Sequence, residues 1–220
     1  VGHYDGIDNA GTGVHDPDAT AWKDLAGTLG DGTLGAGAVW ADGTCWTNAA
    51  NGQPVTLGAA FSTNVATKTF TVEMVLKPAA VNVRRTLLGN YSSVQNFNIE
   101  CYSDARIRCY YNNNPDWYPG AKLAAGATST VTLVTTPSSQ TLYTNGVSAA
   151  TRTGTLGAAL AAGPNTIVGG DLTRADYAFR GACYALRVYN RALSAGETAV
   201  NANLDRIRFE GANPGALAWP

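Results

Sequence analysis

The stretch Thr69-Phe70-Thr71-Val72-Glu73-Met74-Val75-Leu76-Lys77 decides the fold: Phe70, Val72, Met74 and Leu76 alternate with Thr71, Glu73, Val75 and Lys77. Successive side chains of a strand point to opposite faces, so this period of two predicts one face in a core and one toward solvent. Glu73 falls on the solvent face in that reading. Gly181 to Tyr189 repeats the pattern, with Ala182, Tyr184, Leu186 and Val188 on one side and Cys183, Ala185, Arg187 and Tyr189 on the other. Shorter strands are predicted at Arg85 to Gly89, Phe97 to Tyr102, Arg106 to Tyr111, Ser129 to Thr135 and Thr141 to Thr144, each bounded by Gly, Pro, Asn or Ser. Asn145-Gly146 tolerates positive φ at both centres of a type I′ turn and predicts a hairpin.

Ser194-Ala195-Gly196-Glu197 has the S-x-x-E spacing of a capping box and predicts a short helix from about Ala195 to Asn203. Ile207 and Phe209 then read as a last short strand. The first fifty residues are dense in Gly, Asp, Asn and Thr, with apolar islands at Ala21-Trp22 and Ala38-Val39-Trp40, and read as long loops pinned by aromatic anchors. Strands do not alternate with helices, so the expected class is all-β, sheet packed on sheet.

The 220 residues fit one domain over 1–220, and 45% apolar against 14% charged residues exclude a disordered chain. A formal charge of -1 lacks the basic footprint of nucleic-acid or anionic-membrane binding, so neither partner is expected. No apolar run approaches the length of a bilayer crossing, and membrane insertion is not expected. A start at Val1 and a single methionine, Met74, read as a piece cut from a longer polypeptide, whose other domains are then expected partners. Cys45, Cys101, Cys109 and Cys183 show no C-x-x-C spacing, which argues against structural zinc. Cys101 and Cys109 flank a predicted turn at Ser103 to Ala105, leaving a disulfide and buried free thiols as alternatives.

The run from Phe179 to Ser194, with Arg187-Val188-Tyr189-Asn190-Arg191-Ala192-Leu193, resembles the closing segment of laminin G-like domains of bacterial surface proteins, members of the concanavalin A-like lectin and glucanase superfamily. Leu142-Tyr143-Thr144-Asn145-Gly146 and Trp22-Lys23-Asp24-Leu25-Ala26-Gly27 are similar to two further segments of that family. The resemblance implies a jelly-roll sandwich of two curved antiparallel sheets, and a family made mostly of binding and adhesion modules in extracellular or cell-surface settings. Fold does not fix function, so the site is read separately.

Hydrolysis by the superfamily's glucanases uses carboxylates in a Glu-x-Asp-x-x-Glu pattern, which is missing here; Glu73, Glu197 and Glu210 have no second carboxylate two to four residues away, and Glu100 has Asp104 four residues on without the rest of the pattern. His3 and His15 come without a G-x-S-x-G elbow. No catalytic residue is therefore nominated. Calcium is the one cofactor considered, with Asp5, Asp8, Asp16 and Asp18 as ligands supported by Asn9 and the more distant Asp171 and Asp176; the competing reading is that these residues only build turns.

A sugar is held by flat aromatic faces plus amide and carboxylate partners. Tyr110, Tyr111, Asn112, Asn113, Asn114, Asp116, Trp117 and Tyr118 concentrate those groups in one segment with two prolines, Pro115 and Pro119. Tyr91, Trp40 and Trp46 are candidates for the same surface, and Arg84-Arg85 and Arg174 for a carboxylated sugar. Two readings of the segment stand: an exposed loop that holds a ligand, or a turn whose Tyr110 and Trp117 pack inward. The leading expectation is a non-catalytic module that binds a glycan or cell-surface glycoconjugate. The alternative is a structural or protein-interaction module of a surface fibre or phage particle, and a glycoside hydrolase domain ranks last.

Overall fold

A computed structural model describes all residues except 50, 53, 59–60, 62–64, 91–96, 112–114, 157–165, 172–173 and 213–220. The described strands are β1 Gly2–Asp5, β2 Ala21–Trp22, β3 Gly32–Leu34, β4 Ala38–Ala41, β5 Cys45–Asn48, β6 Val55–Leu57, β7 Phe70–Pro78, β8 Arg85–Gly89, β9 Phe97–Cys101, β10 Ile107–Tyr111, β11 Ser129–Thr136, β12 Ser139–Thr144, β13 Val147–Thr153, β14 Thr166–Val168 and β15 Gly181–Tyr189. One C-terminal helix, α1, spans Ala195–Ala212. The strands form two antiparallel sheets. The first runs β13-β12-β11-β7-β15-β5-β4, with β1 also paired to β15, and the second runs β10-β9-β8-β14-β6-β3-β2.

The core lies between them. Phe70, Val72, Met74 and Leu76 of β7 face Phe97 and Ile99 of β9, Leu87 and Leu88 of β8, and Ile107, Cys109 and Tyr111 of β10 in one continuous apolar cluster. Burying side chains of that size contributes about 1.5–3 kcal/mol each, and this is the term that closes the sandwich.

Four expectations are corrected. The first fifty residues carry five strands and feed both sheets. Helix α1 continues through Ile207 and Phe209, which were expected to form a strand, because the Phe209 ring is buried against Tyr184 at 5.3 Å on the outer face of the first sheet. Glu73, expected in solvent, is 1% exposed, because α1 covers that face. In β15 a register shift between Cys183 and Ala185 breaks the simple alternation. Cys183, Leu186 and Val188 therefore share the main core, while Ala182 and Tyr184 join a second cluster with Val75 and Phe209.

The hairpin and the cap form as expected. Asn145 and Gly146 have φ of 51° and 76°. The Ser194 amide donates to Glu197 Oε2 at 2.8 Å, and the Glu197 amide donates to Ser194 Oγ at 3.2 Å. All four cysteines are free and buried. No helix among the described residues is long and apolar enough to cross a membrane.

Candidate functional site

The hairpin β9–β10 forms one edge of the second sheet, with Arg108 opposite Glu100 and Tyr110 opposite Asn98. Alternation sends Phe97, Ile99, Cys101, Ile107, Cys109 and Tyr111 into the core, so Glu100, Arg108 and Tyr110 point away from it. The chain then returns along β10. Trp117 and Cys109 exchange backbone hydrogen bonds of 3.1 and 2.9 Å, and the Ile107 amide donates to the Ala121 carbonyl at 2.9 Å. Arg152 of β13 clamps this returning segment: Nη1 donates to the Pro115 carbonyl at 2.9 Å, and the guanidinium lies 5.3 Å from the Trp117 ring centre.

Glu100 is fully buried and is the hub of the charges. Arg84 donates to it through Nη2 at 2.7 Å and Nε at 3.2 Å, and Arg108 bonds to it through Nη1. The other arm of Arg108 bonds to the exposed Asp116. Burial disfavours the charged Arg108 guanidinium, but its hydrogen bond to Asp116 and the charge of Glu100 outweigh that and raise its pKa above the usual arginine value. Arg84 shows the same balance, burial against the bond to Glu100, and is also raised. These arginines stay charged and are held in fixed orientations.

Half-buried aromatic rings surround the charges. Arg84 lies 4.6 Å from the Tyr177 ring centre and 5.5 Å from that of Tyr102; Arg106 lies 5.0 Å from Tyr118 and Arg108 5.6 Å from Tyr110. Tyr102 and Tyr118 meet edge to face at 5.5 Å. Tyr177 is carried by a one-turn 3-10 helix, Ala175–Tyr177, tied to β8 by Arg85, which donates to the Asp176 carbonyl at 2.6 Å. The surface thus offers rings for the apolar side of a small ligand, beside guanidinium and carboxylate groups in set positions.

Of the nominated residues, Tyr110, Asp116 and Tyr118 lie together on this surface; Trp117 pairs with Cys109, whose side chain enters the core, and packs against that core, as the inward alternative had it for Trp117. Tyr111 is not on the surface either: it is fully buried, stacked on Phe70 at 6.0 Å, with its hydroxyl donating to the Val65 carbonyl at 3.2 Å. Asn112, Asn113 and Asn114 fall outside the described residues, as does Tyr91. Trp46 is a core residue, and Trp40 packs against Trp22 and His15 with its indole N–H on the Ala19 carbonyl. Tyr102, Tyr177, Arg106 and Glu100 were not nominated. Their signal was the period of two beyond each strand end, Glu100 with Tyr102 and Arg106 with Arg108 and Tyr110.

The aspartates considered for calcium serve the local backbone and ion pairs. Asp5 accepts the Ile7 amide at 2.8 Å and pairs with Arg208; Asp8 accepts the Gly13 amide at 2.9 Å; Asp16 accepts the Asp18 amide at 2.9 Å. Among the described residues no three His, Cys, Asp or Glu side chains gather in a metal-holding arrangement. A second pair of carboxylates, Glu73 and Asp205, converges on Arg187 between α1 and the first sheet, where Arg187 Nη1 lies 2.9 Å from Asp205 and also bonds to Glu73. Both carboxylates are almost wholly shielded from water.

Residues 48–199 match the family model of the concanavalin A-like lectin/glucanases superfamily. No curated protein sequence matches the chain. Among solved structures, Trypanosoma rangeli sialidase in complex with 2,3-difluorosialic acid aligns with a TM-score of 0.71 at 15% identity, covering 94% of this chain and 33% of the sialidase. The chain therefore spans about a third of that enzyme's length. Domain 4 of an extracellular arabinanase from Geobacillus stearothermophilus, in complex with arabinotriose, aligns with a TM-score of 0.69 at 19% identity, covering 91% of this chain and 97% of that domain. A heptameric pentraxin from Limulus polyphemus aligns with a TM-score of 0.54 at 20% identity over 70% of this chain and 76% of its own. At these identities the likeness is one of fold.

Proposed function

From the premise that this chain belongs to the concanavalin A-like lectin/glucanase superfamily, we propose that it is a non-catalytic carbohydrate-binding module of a secreted or cell-surface protein. One observation carries the reading: four half-buried aromatic rings, Tyr102, Tyr110, Tyr118 and Tyr177, share one edge of the sandwich with Arg84, Arg108 and Asp116. Rings take the C–H side of a sugar ring, and the charged groups take its hydroxyls. The arabinanase domain supports the idea, since a domain of almost the same extent and fold is seen with a bound oligosaccharide. Attachment to a larger enzyme or adhesin agrees with the sialidase alignment, in which this fold is about a third of the polypeptide.

The absence of catalysis is part of the proposal and rests on chemistry. Glu100 and Asp116 share Arg108, and Glu73 and Asp205 share Arg187, so each carboxylate pair is bridged by a guanidinium where a hydrolase needs a sugar between the two acids. A second reading, a protein-interaction module, draws on Val200, Leu204 and Ile207, each more than half exposed along one side of α1. A glycan array with the 220-residue chain tests both. The expected result is a defined set of hits that Tyr110→Ala and Tyr118→Ala each weaken about tenfold, the loss of one stacking or hot-spot contact. A flat array would remove the first reading and favour the second; new reducing ends released from the hit polysaccharide would overturn the non-catalytic part.

A further inference from the structure

On the outer face of the first sheet, Thr47, Ala182 and Lys77 stand in one register row across β5, β15 and β7. The small Ala182 leaves a dip between two longer side chains. Just before it, Gly181 has φ of 141°, and a Cβ there would lie 2.2 Å from the Lys77 carbonyl oxygen, so only glycine lets the chain enter the strand this way. The dip opens into a cleft of about 420 Å3 walled by Asp42, Asn48, Lys77, Arg180 and Tyr184. That volume lies within the range of small-ligand clefts.

The charge in this cleft is incompletely answered. Arg180 donates Nη2 to Asn51 Oδ1 at 2.9 Å, a neutral acceptor, and its Nε is shielded from water with no acceptor among the described residues. Arg180 has no carboxylate within ion-pair distance among the described residues. It brings to the cleft a guanidinium answered by a neutral oxygen, and with Lys77 also in the lining the cations outnumber the lining carboxylate, Asp42, an arrangement that suits an oxyanion.

We propose that this cleft is a second binding site, separate from the tyrosine-lined edge, that holds a carboxylate or sulfate group of a saccharide on Arg180, with Lys77 also in the lining. The oxyanion accepts hydrogen bonds from the guanidinium, and a neutral sugar lacks the group that completes them.

The test titrates the 220-residue chain with sodium glucuronate, sodium sulfate and glucose at constant ionic strength, read by amide chemical shifts and calorimetry. Saturable binding of glucuronate or sulfate, with shifts at Thr47, Asn48, Lys77 and Ala182 and none from glucose, is expected. Arg180→Gln should weaken it about tenfold, the loss of a charge-assisted contact. Tyr110→Ala should leave it unchanged, so the cleft and the aromatic edge succeed or fail separately. Binding of glucuronate alone assigns the cleft to carboxylated sugars and binding of sulfate alone to sulfated ones. Binding of neither, equal response to glucose, or undiminished affinity in Arg180→Gln overturns the proposal. Should Arg180→Gln not fold, Lys77→Gln reads the same loss at the other lining cation.

Discussion

Buried polar side chains set the energetics at single residues. Arg187 answers two carboxylates, Glu73 and Asp205, and Asn201 donates to Glu73 at 3.2 Å from the same helix. Burial raises the pKa of both acids, and Arg187 opposes that rise. Removing it with Arg187→Leu strands two buried negative charges, so urea unfolding should show a loss of about 3–5 kcal/mol, as for breaking any buried pair from one side. His3 lies at the rim of the same network, and burial, followed by the charge of Arg187, lowers its pKa below 6.5. Between the folded value and 6.5 the unfolded chain binds more protons than the folded one. The His3 contribution is therefore complete above pH 6.5 and is lost as pH falls toward the folded pKa. Glu73 and Asp205, raised by burial, act with the opposite sign. The difference between native and His3→Asn melting curves on acidification from about pH 7.5 to about pH 5 isolates the histidine, and the variant should lose less stability than the native chain over that range. Asp24 explains why an early Trp-x-Asp-Leu segment matters: its carboxylate accepts the amides of His3, Ala26, Thr28 and Leu29 at 2.6–3.1 Å beside the buried Trp22.

Among the elements, α1 changes the fold most from what alternation alone predicts. Its start is local: Ser194 and Glu197 satisfy each other's amides, and Arg191 pairs with Glu197 at 2.7 Å. Ser194→Ala should cost about 1 kcal/mol and quicken hydrogen exchange over the first turn of α1, with β7 and β11 unaffected. Its continuation is tertiary, since Ala202, Asp205 and Phe209 are buried on the first sheet. The hairpin at Asn145-Gly146 supports α1 from the side. A Cβ on Gly146 would lie 2.9 Å from Ala199 Cα at a φ of 76°. Gly146→Ala should consequently destabilise by more than the roughly 1 kcal/mol by which a compatible Gly-to-Ala change stabilises, with lost helix signal in circular dichroism as its signature.

Across the whole molecule, the candidate surface exists only because two sheets are closed around one core. Its rings come from β10, the turn after β9, the returning segment at Tyr118, and the 3-10 turn at Tyr177, and Arg152 ties that returning segment to the other sheet. Of the aspartates considered for calcium, Asp5, Asp8 and Asp16 accept local amides, and Asp5 also pairs with Arg208. Calcium at about 1 mM is accordingly expected to leave the melting temperature unchanged, whereas a rise would reveal a native-state site. The sequence alone determined the strands with strict alternation, the type I′ hairpin, the capping box and the sandwich class, because each depends on residues within a few positions of one another. Tertiary structure alone decided that Glu73 is buried, that Tyr111 is core while Tyr110 is surface, that β15 shifts register at Cys183, and that Glu100, Arg84 and Tyr177 meet. Those outcomes depend on which strand lies beside which and on what covers the far face of a sheet, and both are set by the packing of the entire core.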